Sequence, residues 1–554
     1  MVDQEKILVN VAWPYANGSI HLGQAIGAYL PADIFARFHR MKGNAVLMVS
    51  GSDAHGTPVV LEAEKQKTTP EKIFQLYHNE FLENWKQLGI SWDLFTSTHT
   101  KIHEEVVQDI FLKLLENGFI YKDVMTLPYS EKDKRFLADR YVEGTCPHCN
   151  FESARGDQCD NCGSTLDPIE LINIKSRISG DAPVFKETEH FFLALTKFEK
   201  QLYSWIEKNK YWKPNVRNFS LKFLEGGLKD RAITRDIEWG VPVPLDGYED
   251  KRIYVWFDAV IGYLSASIEW SSQIGDKSKW EDFWKGDGKS YYFMGKDNIP
   301  FHTIIWPSML IGYGDMNLPY DVPANEYLNL EGLKFSTSRG WAIWLGEYLS
   351  KFEPDPLRYV LSANMPEIRD TDFSWDEYIR RNNDELVATY GNLVHRVLSL
   401  SYRSFDKKIP ECGELNESGE NLLKLATNSM EKVSEELTNC RFKSALTVAM
   451  GLAQAANKFL NDEEPWHKLK STDVEDQRDA ATTLWVVLSV VNCLKILLYP
   501  FLPFSSEKLH KLLGFEDSVT DVGWNWSANQ ITSGTSLPKP KVLFVKIERE
   551  DLDT

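Results

Sequence analysis

The chain has 554 residues, 43% hydrophobic and 26% charged, with a net charge of -18; it is too long for one core and reads as a globular protein of roughly three or four domains. The acidic balance excludes a general nucleic-acid coat but not a local basic contact. No apolar run approaches the roughly 20 residues of a membrane span, and the polar start Met1-Val2-Asp3-Gln4-Glu5 is unlike a signal peptide, so a cytoplasmic chain away from membranes is expected.

Ile7–Ala12 reads as the first strand. Pro14-Tyr15-Ala16-Asn17-Gly18-Ser19-Ile20-His21-Leu22-Gly23-Gln24 follows, then an apolar-periodic segment, Ala25–Phe38, expected as a helix. A strand, a small-residue turn and a helix start make a place to hold a phosphate, because N–H groups at a helix start carry partial positive charge. Gly18 and Gly23 allow close approach of the backbone, and His21 adds a side-chain donor. Ala45–Val49 is the second strand, ending in Gly51-Ser52-Asp53-Ala54-His55-Gly56-Thr57-Pro58. A βαβ unit makes these strands parallel, with both carboxyl ends opening on the ligand side. His21 and Asp53 are therefore expected in one crevice.

From about Gly118 to Thr234 the rhythm breaks, as an insertion would. It carries Cys146-Pro147-His148-Cys149 and, after nine residues, Cys159-Asp160-Asn161-Cys162. Two C-x-x-C pairs this close predict one tetrahedral four-thiolate zinc site, structural because no coordination position stays open. His148 lies between the ligands as a competitor, whereas a redox dithiol would need only one such pair. Cys412, Cys440 and Cys493 are scattered, so no disulfide framework is expected. Strand-like runs resume at Arg252–Phe257, Tyr291–Met294 and Glu326–Leu330. The loop Gly332-Leu333-Lys334-Phe335-Ser336-Thr337-Ser338-Arg339-Gly340 suits a phosphate clamp. From about Trp375, apolar three-to-four spacing, as in Ala445–Leu460 and Ala481–Leu498, predicts a helix bundle. Ser533–Lys541 reads as a loop or a tail crossing the bundle.

His21-Leu22-Gly23-Gln24 resembles the HIGH signature of class I aminoacyl-tRNA synthetases, and Lys334-Phe335-Ser336-Thr337-Ser338 resembles their KMSKS loop. Ala12 to Gly18, Gly51 to Pro58, Tyr254-Val255-Trp256-Phe257-Asp258-Ala259 with Ile261-Gly262-Tyr263, and Gly295-Lys296-Asp297 with Phe301-His302 resemble the methionyl-tRNA synthetase family. The resemblance covers nearly the whole chain. It implies an α/β fold: a Rossmann-like parallel-sheet catalytic domain with a zinc-bearing insertion, followed by an all-α helix-bundle anticodon-binding domain. The expected boundaries are 1–117 and 235–325 for the two catalytic halves, 118–234 for the insertion, 326–385 for the KMSKS and stem-contact region and 386–554 for the bundle.

The implied reaction joins methionine to tRNA: ATP and L-methionine give methionyl-adenylate and pyrophosphate, then methionine passes to the 3'-terminal adenosine of tRNA(Met). Such chemistry needs positioning and charge stabilisation more than covalent catalysis. The resemblance assigns catalysis to His21, Gln24 and Lys334, and ATP binding to these with Gly23, Gly295, Asp297 and Thr337. Asp297 is placed to bind ribose hydroxyls; the alternative is a helix cap. A thioether favours aromatic walls, and Trp13, Tyr15, Trp256, Tyr263 and His302, with Ala12 and Ala259, occupy the family's methionine-binding positions. Asp53 supplies a carboxylate for the substrate ammonium. Asn392 and Arg396, at i, i+4 on one helix face, and Trp466 are assigned to the anticodon, whose unpaired bases are read by stacking and edge hydrogen bonds.

Three positions depart from the pattern. Gln24 replaces the last histidine of HIGH and carries no charge. Thr337 replaces the second lysine of KMSKS, with Arg339 nearby as a compensating cation. Asn298 stands where relatives carry an apolar residue. The implied partners are L-methionine, ATP as substrate with Mg2+, initiator and elongator tRNA(Met), and one structural Zn2+, with no membrane. A monomer is expected, because the chain ends at Asp551-Leu552-Asp553-Thr554 without the further dimer-forming domain of many relatives. Two rival readings remain: a class I synthetase for leucine, isoleucine or valine, and a non-catalytic tRNA-binding paralogue. The insertion is too short for both a knuckle and an editing domain, and retention of His21, Asp53 and Lys334 speaks against decay.

Overall fold

The computed structural model describes residues 4–552 except 138–140, 157–158, 160, 165 and 336–340. Strands β1 (Lys6–Val11), β2 (Ala45–Ser52), β3 (Leu94–Ser97), β4 (Lys289–Gly295) and β5 (Ala324–Asn325) form one sheet in the order β5-β4-β1-β2-β3. All its pairings are parallel. The strand order reverses between β1 and β4, so a crevice opens beyond the carboxyl ends of those two strands. Along β1, Ile7, Val9 and Val11 enter one core and Leu8 the other, the period-2 alternation of a strand buried on both faces.

The helical run after the first turn starts at Leu22, three residues before the expected Ala25, and is not uniform. A single α-turn, Leu22–Gln24, leads into a π-turn, Ala25–Tyr29, and then into α1 (Leu30–Met41). The cause lies in Pro31, which cannot donate and whose ring presses on the carbonyl four residues back. The wider turn relieves this, with the Leu30 N–H bonded to the Ala25 carbonyl. The second core is closed by α2 (Lys101–Glu116) and α3 (Val255–Gln273).

Here the expected strand Arg252–Phe257 is corrected: only Arg252–Ile253 is extended, and α3 begins at Val255. Val255, Phe257, Val260, Ile261, Tyr263 and Leu264 are all buried, so the helical period is hidden in a continuous apolar run. The expected strand Glu326–Leu330 shortens to Leu328–Leu330, which runs parallel to Thr371–Phe373. It turns back through Glu331 and Gly332, both at positive φ, into Leu333–Lys334. This two-residue hairpin requires that geometry. Lys334 thus stands at the end of a strand rather than in open loop.

In the insertion, Ile120–Ser130 pairs antiparallel with Val184–Leu193, and a small sheet of Val142–Thr145, Ala154–Arg155 and Ile172–Ser176 carries the cysteines. The C-terminal half is helical: α4 (Pro354–Ala363), α5 (Asn392–Ser404), α6 (Glu417–Thr438), α7 (Phe442–Glu463) and α8 (Val474–Leu498). By length and composition α8 could cross a membrane, contrary to the expectation that no segment reaches that limit, yet its apolar stretch from Ala480 onward is buried as the bundle's central helix. Ser533–Lys541 is irregular, as expected, and touches Lys408 through Ser536.

One apolar core runs without a break from the β1 face into the bundle. At their junction sits a fully buried ion pair. Arg358 of α4 donates to Asp33 of α1 (2.7 Å) and to the carbonyls of Phe501 (2.8 Å), Pro500 (2.9 Å) and Leu88 (3.2 Å). Arg37 completes the group, bonding Asp33 (2.9 Å), the Gly89 carbonyl (2.6 Å) and the Tyr499 hydroxyl (3.1 Å).

Candidate active site

The turn after β1 is anchored first. The Asp53 N–H donates to the Pro14 carbonyl (2.8 Å) and the Ala16 N–H to the Asp53 carbonyl (2.9 Å). Asp53, just after β2, therefore lies beside Tyr15, six residues before His21 on the turn after β1. His21 caps the α-turn: its Nδ1 accepts the Gln24 N–H (3.3 Å), and the Gln24 Oε1 accepts the His21 N–H (3.0 Å). This reciprocal box explains the glutamine that departs from the signature. It also leaves the His21 Nε2–H as the donor toward a ligand. Burial holds the His21 imidazole down at about 4, so it acts as a neutral donor at pH 7.

The two signature segments meet. Trp344 pairs with His21, the Leu22 N–H donates to the Ile343 carbonyl (3.1 Å), and the Leu345 N–H to the Ile20 carbonyl (2.8 Å). The Phe335 ring stacks on His21 at 4.9 Å with 10° between planes. A Cβ on Gly23 would lie 3.0 Å from the His21 ring and 3.4 Å from Phe335, so glycine is what lets this stack form. Lys334, one residue earlier, holds its ammonium 4.8 Å over the Tyr327 ring. The Tyr327 hydroxyl donates to Asp297, just beyond β4. The short helical turn there is capped by Gly295, so Asp297 is not its cap. Thr337 and Arg339 lie outside the described residues.

On the other side of the turn the aromatic residues gather. Trp256, Ala259 and Tyr263 share one face of α3 at i, i+3, i+7. The Trp256 indole donates to the Tyr15 hydroxyl (3.1 Å) and meets the Phe301 ring edge-on at 4.8 Å. The Asn298 carbonyl accepts from the His302 Nδ1 (2.8 Å), so Nε2 accepts from the Tyr263 hydroxyl (2.7 Å). Burial holds His302 down at about 4 and pushes the Tyr263 hydroxyl well up, so the pair stays neutral. The Ala12 carbonyl accepts from Tyr29 (3.1 Å). Trp13 is wedged between β2 and α3: a Cβ on Gly51 would come within 2.3 Å of its ring, and one on Gly262 within 2.7 Å.

Asp53 is buried, and burial, then Asp258, push its carboxyl well above the usual range, with the His55 N–H (3.2 Å) pulling the other way. A negative group so placed favours a cation. Tyr327, Phe335, Phe301 and the two slot glycines were not singled out from the sequence. Gly51 and Gly262 lie inside recognised motifs, but nothing local signals that a tryptophan needs both.

Two further clusters lie apart. The four cysteine Sγ atoms all lie within 4.8 Å of one another, with Cys146–Cys162 at 3.9 Å and Cys149–Cys159 at 3.6 Å. Metal–sulfur bonds of about 2.3 Å in a tetrahedron give edges of about 3.8 Å, so the arrangement fits a metal. His148 is exposed and contributes only its backbone N–H, to Cys146 Sγ (3.4 Å). In the bundle, the Arg396 guanidinium stands 5.1 Å from the Trp466 ring centre and bonds Asn461 (3.0 Å). Asn392 is exposed one turn earlier on α5.

Comparison with known proteins agrees with this arrangement. Residues 7–398 match a family model described as tRNA synthetases class I (M), and residues 409–554 one described as anticodon binding domain of methionyl tRNA ligase. The chain belongs to the class I methionyl-tRNA synthetase family. It is 54% identical over 544 residues to a methionine–tRNA ligase of Dehalococcoides mccartyi, covering 98% of this chain and 97% of the relative. It is 48% identical over 575 residues to that of Thermomicrobium roseum, covering 99% and 98%. Among solved structures, Mycobacterium tuberculosis methionyl-tRNA synthetase in complex with methionyl-adenylate superposes with a TM-score of 0.82 at 27% identity, covering 98% of this chain and 99% of that one. A methionyl-tRNA synthetase site must seat an amino acid and a nucleotide side by side. The single turn between β1 and α1 faces both the aromatic group and the lysine-bearing hairpin.

Proposed function

We infer that this chain is a methionine–tRNA ligase, which activates L-methionine with ATP and passes it to the 3'-terminal adenosine of tRNA(Met). The observation that carries the reading is the His21–Phe335 stack, which joins both signature segments on the turn where Tyr15 lies beside the buried Asp53 carboxylate.

In this reading, Asp53 binds the substrate ammonium in a charge-assisted hydrogen bond. Trp13, Tyr15, Trp256, Tyr263 and His302, with Ala12 and Ala259, enclose the side chain. Neutral Tyr263 and His302 suit a thioether, which offers only a weak acceptor. Asp297 takes the ribose, and the Gly23 and Gly295 backbone lets the nucleotide approach. As the methionine carboxylate attacks the α-phosphorus and the bond to pyrophosphate breaks, negative charge shifts to phosphate oxygens. The His21 Nε2–H and the Lys334 ammonium donate to it, and the Gln24 amide and Thr337 hydroxyl add neutral donors. ATP enters as its Mg2+ complex. The four cysteines would hold Zn2+ as thiolates and leave no open position, so the metal supplies local fold stability. Asn392, Arg396 and Trp466 read the anticodon of initiator and elongator tRNA(Met). The boundaries 1–117, 118–234, 235–325, 326–385 and 386–554 divide the labour, and the enzyme works as a cytoplasmic monomer.

ATP–pyrophosphate exchange with methionine, leucine, isoleucine or valine tests the reading. Exchange with methionine is expected; exchange with another of these, or with none, overturns it. Lys334→Ala should lose about 2–4 kcal/mol of transition-state stabilisation, far more than Thr337→Ala, and equal losses would sink the assignment. Trp466→Ala should weaken tRNA charging by the roughly 1–3 kcal/mol of a base stack and leave exchange intact.

A further inference from the structure

We propose that Asp258, with His55 and His103, is a positioning residue that holds the ammonium anchor and the side-chain-reading helix at a fixed separation, and thereby sets selectivity for methionine. The inference rests on the reading of Asp53 and Tyr263 given above.

Asp258 lies in the first turn of α3 with its side chain fully buried. Both its oxygens are engaged, and its charge reaches Asp53. Oδ2 accepts from His55 Nδ1 (2.7 Å) and Oδ1 from His103 Nε2 (2.5 Å). His103 comes from α2, and its Nδ1 reaches the Ser265 hydroxyl (2.7 Å). That hydroxyl also reaches the Gly262 carbonyl (3.1 Å). His103 is thus held at both ring nitrogens, between the Asp258 carboxylate and the Ser265 hydroxyl. A buried carboxylate is tolerated when it is paired and fully bonded, and these partners meet both conditions.

What the network joins matters more than its strength. His55 lies two residues after Asp53 and donates its own N–H to the Asp53 carboxylate (3.2 Å). The intervening Ala54 is pinned as well. Its N–H donates to the Thr98 hydroxyl (2.9 Å), and its carbonyl accepts from the Trp239 indole (2.7 Å). Trp239 stacks on His99 at 4.8 Å, and His99 Nδ1 lies 3.4 Å from His55 Nε2. The ammonium anchor is thus rigid within its own strand end. At the other end, Asp258 precedes Ala259 directly and Tyr263 by five residues on one helix. Tyr263 holds His302. One carboxylate therefore cross-links the group that binds the amino end of the substrate to the groups that meet its far end. Sub-ångström drift between two such anchors erodes both affinity and discrimination.

The test uses the full-length protein in ATP–pyrophosphate exchange. Asp258→Asn keeps one acceptor and the side-chain shape but cannot receive both histidines as a carboxylate does. It should raise KM for methionine by about tenfold or more and leave KM for ATP within about twofold. The kcat/KM preference for methionine over norleucine, which replaces the sulfur by a methylene, should fall as well. His103→Gln, which keeps a donor amide, should give a smaller shift in the same sense. If Asp258→Asn does not fold, His103→Gln decides by the same measures. A parallel rise in both KM values, or an unchanged methionine-to-norleucine ratio, would overturn the proposal. Absence of methionine-dependent exchange in the unaltered protein would instead overturn the functional reading itself.

Discussion

Asp53 sits where folding alone would not put an ionised carboxylate. Burial and the nearby Asp258 raise its pKa well above the ordinary carboxylate value, so its charged form destabilises the free protein. The sign follows from linkage: a raised acid pKa means the native state holds its proton longer, and stability declines as pH rises through the folded-state pKa. Asp53→Asn should therefore raise Tm near neutral pH while weakening methionine binding by about 2–5 kcal/mol; calorimetry and exchange kinetics on one preparation check both, and a lowered Tm would refute the account. In the unaltered protein, methionine should bind more tightly as pH rises through that same range, because the ammonium needs the carboxylate. At this scale the sequence was most legible within its motifs: Trp13 lies against Tyr263, Tyr263 bonds His302 and Trp256 bonds Tyr15. It was least legible where a role depends on a distant neighbour. Gln24 reads as a ligand-facing amide, yet its oxygen closes a cap on His21. Asp258 and His103, 155 positions apart, carry no local sign that they meet.

Among the described residues, three π-helical stretches lie next to candidate site residues. Ala25–Tyr29 follows the His21 turn, Phe301–Ile305 carries His302, and Arg381–Gly391 ends at Asn392. The first two each end two residues before a proline, Pro31 and Pro307. The proline forbids an ordinary turn, and the wider one re-aims the side chains beside it. The apolar period of Ala25–Phe38 signals a helix but not the wider turn that Pro31 imposes within it, and the start of α3 was hidden inside an apolar run. The parallel strands were clearer, because β1 and β2 announce themselves by short apolar runs between turns. The cysteine element was clear for another reason, since C-x-x-C spacing encodes its own geometry. Its private core is small, chiefly Leu137, Tyr141, Val142, Ala154, Leu166 and Leu171 around the cysteines, and small units depend on a staple. Metal removal by a chelator, or Cys149→Ser, should make residues 142–176 protease-sensitive while the parallel sheet stays protected; hydrogen exchange mapped by segment checks this. Loss of protection throughout the chain would contradict it.

Across the whole molecule, the Asp33–Arg358 pair joins the helix that begins at the His21 turn to the carbonyls at the end of the bundle's central helix. Burial raises the Asp33 pKa, but Arg37 and Arg358 outweigh it and bring it down to about 2. For a depressed acid, the stabilisation is complete above the ordinary value of about 4 and is lost as pH falls through the folded value. Tm should therefore drop on acidification between about pH 4 and 2, and more shallowly in Asp33→Asn. Arg358→Met leaves Asp33 with Arg37 and Ser91 as its remaining partners and three carbonyls without their Arg358 donor, so it should cost about 3–5 kcal/mol. Denaturant titration measures this, and a change under about 1 kcal/mol would show that the pair is dispensable. The bundle was legible from its periodicity, but its attachment was not, because Asp33 and Arg358 are ordinary charges until the fold buries them together. That attachment has a consequence for recombination. A bundle borrowed from another synthetase and spliced on at a surface loop would bring its own inter-helix corner, one not shaped to the charges buried on α1 and α4. Such a graft would leave Arg358 facing foreign backbone in a dry interior. The two halves of this protein are modules in sequence and a single inheritance unit in physics.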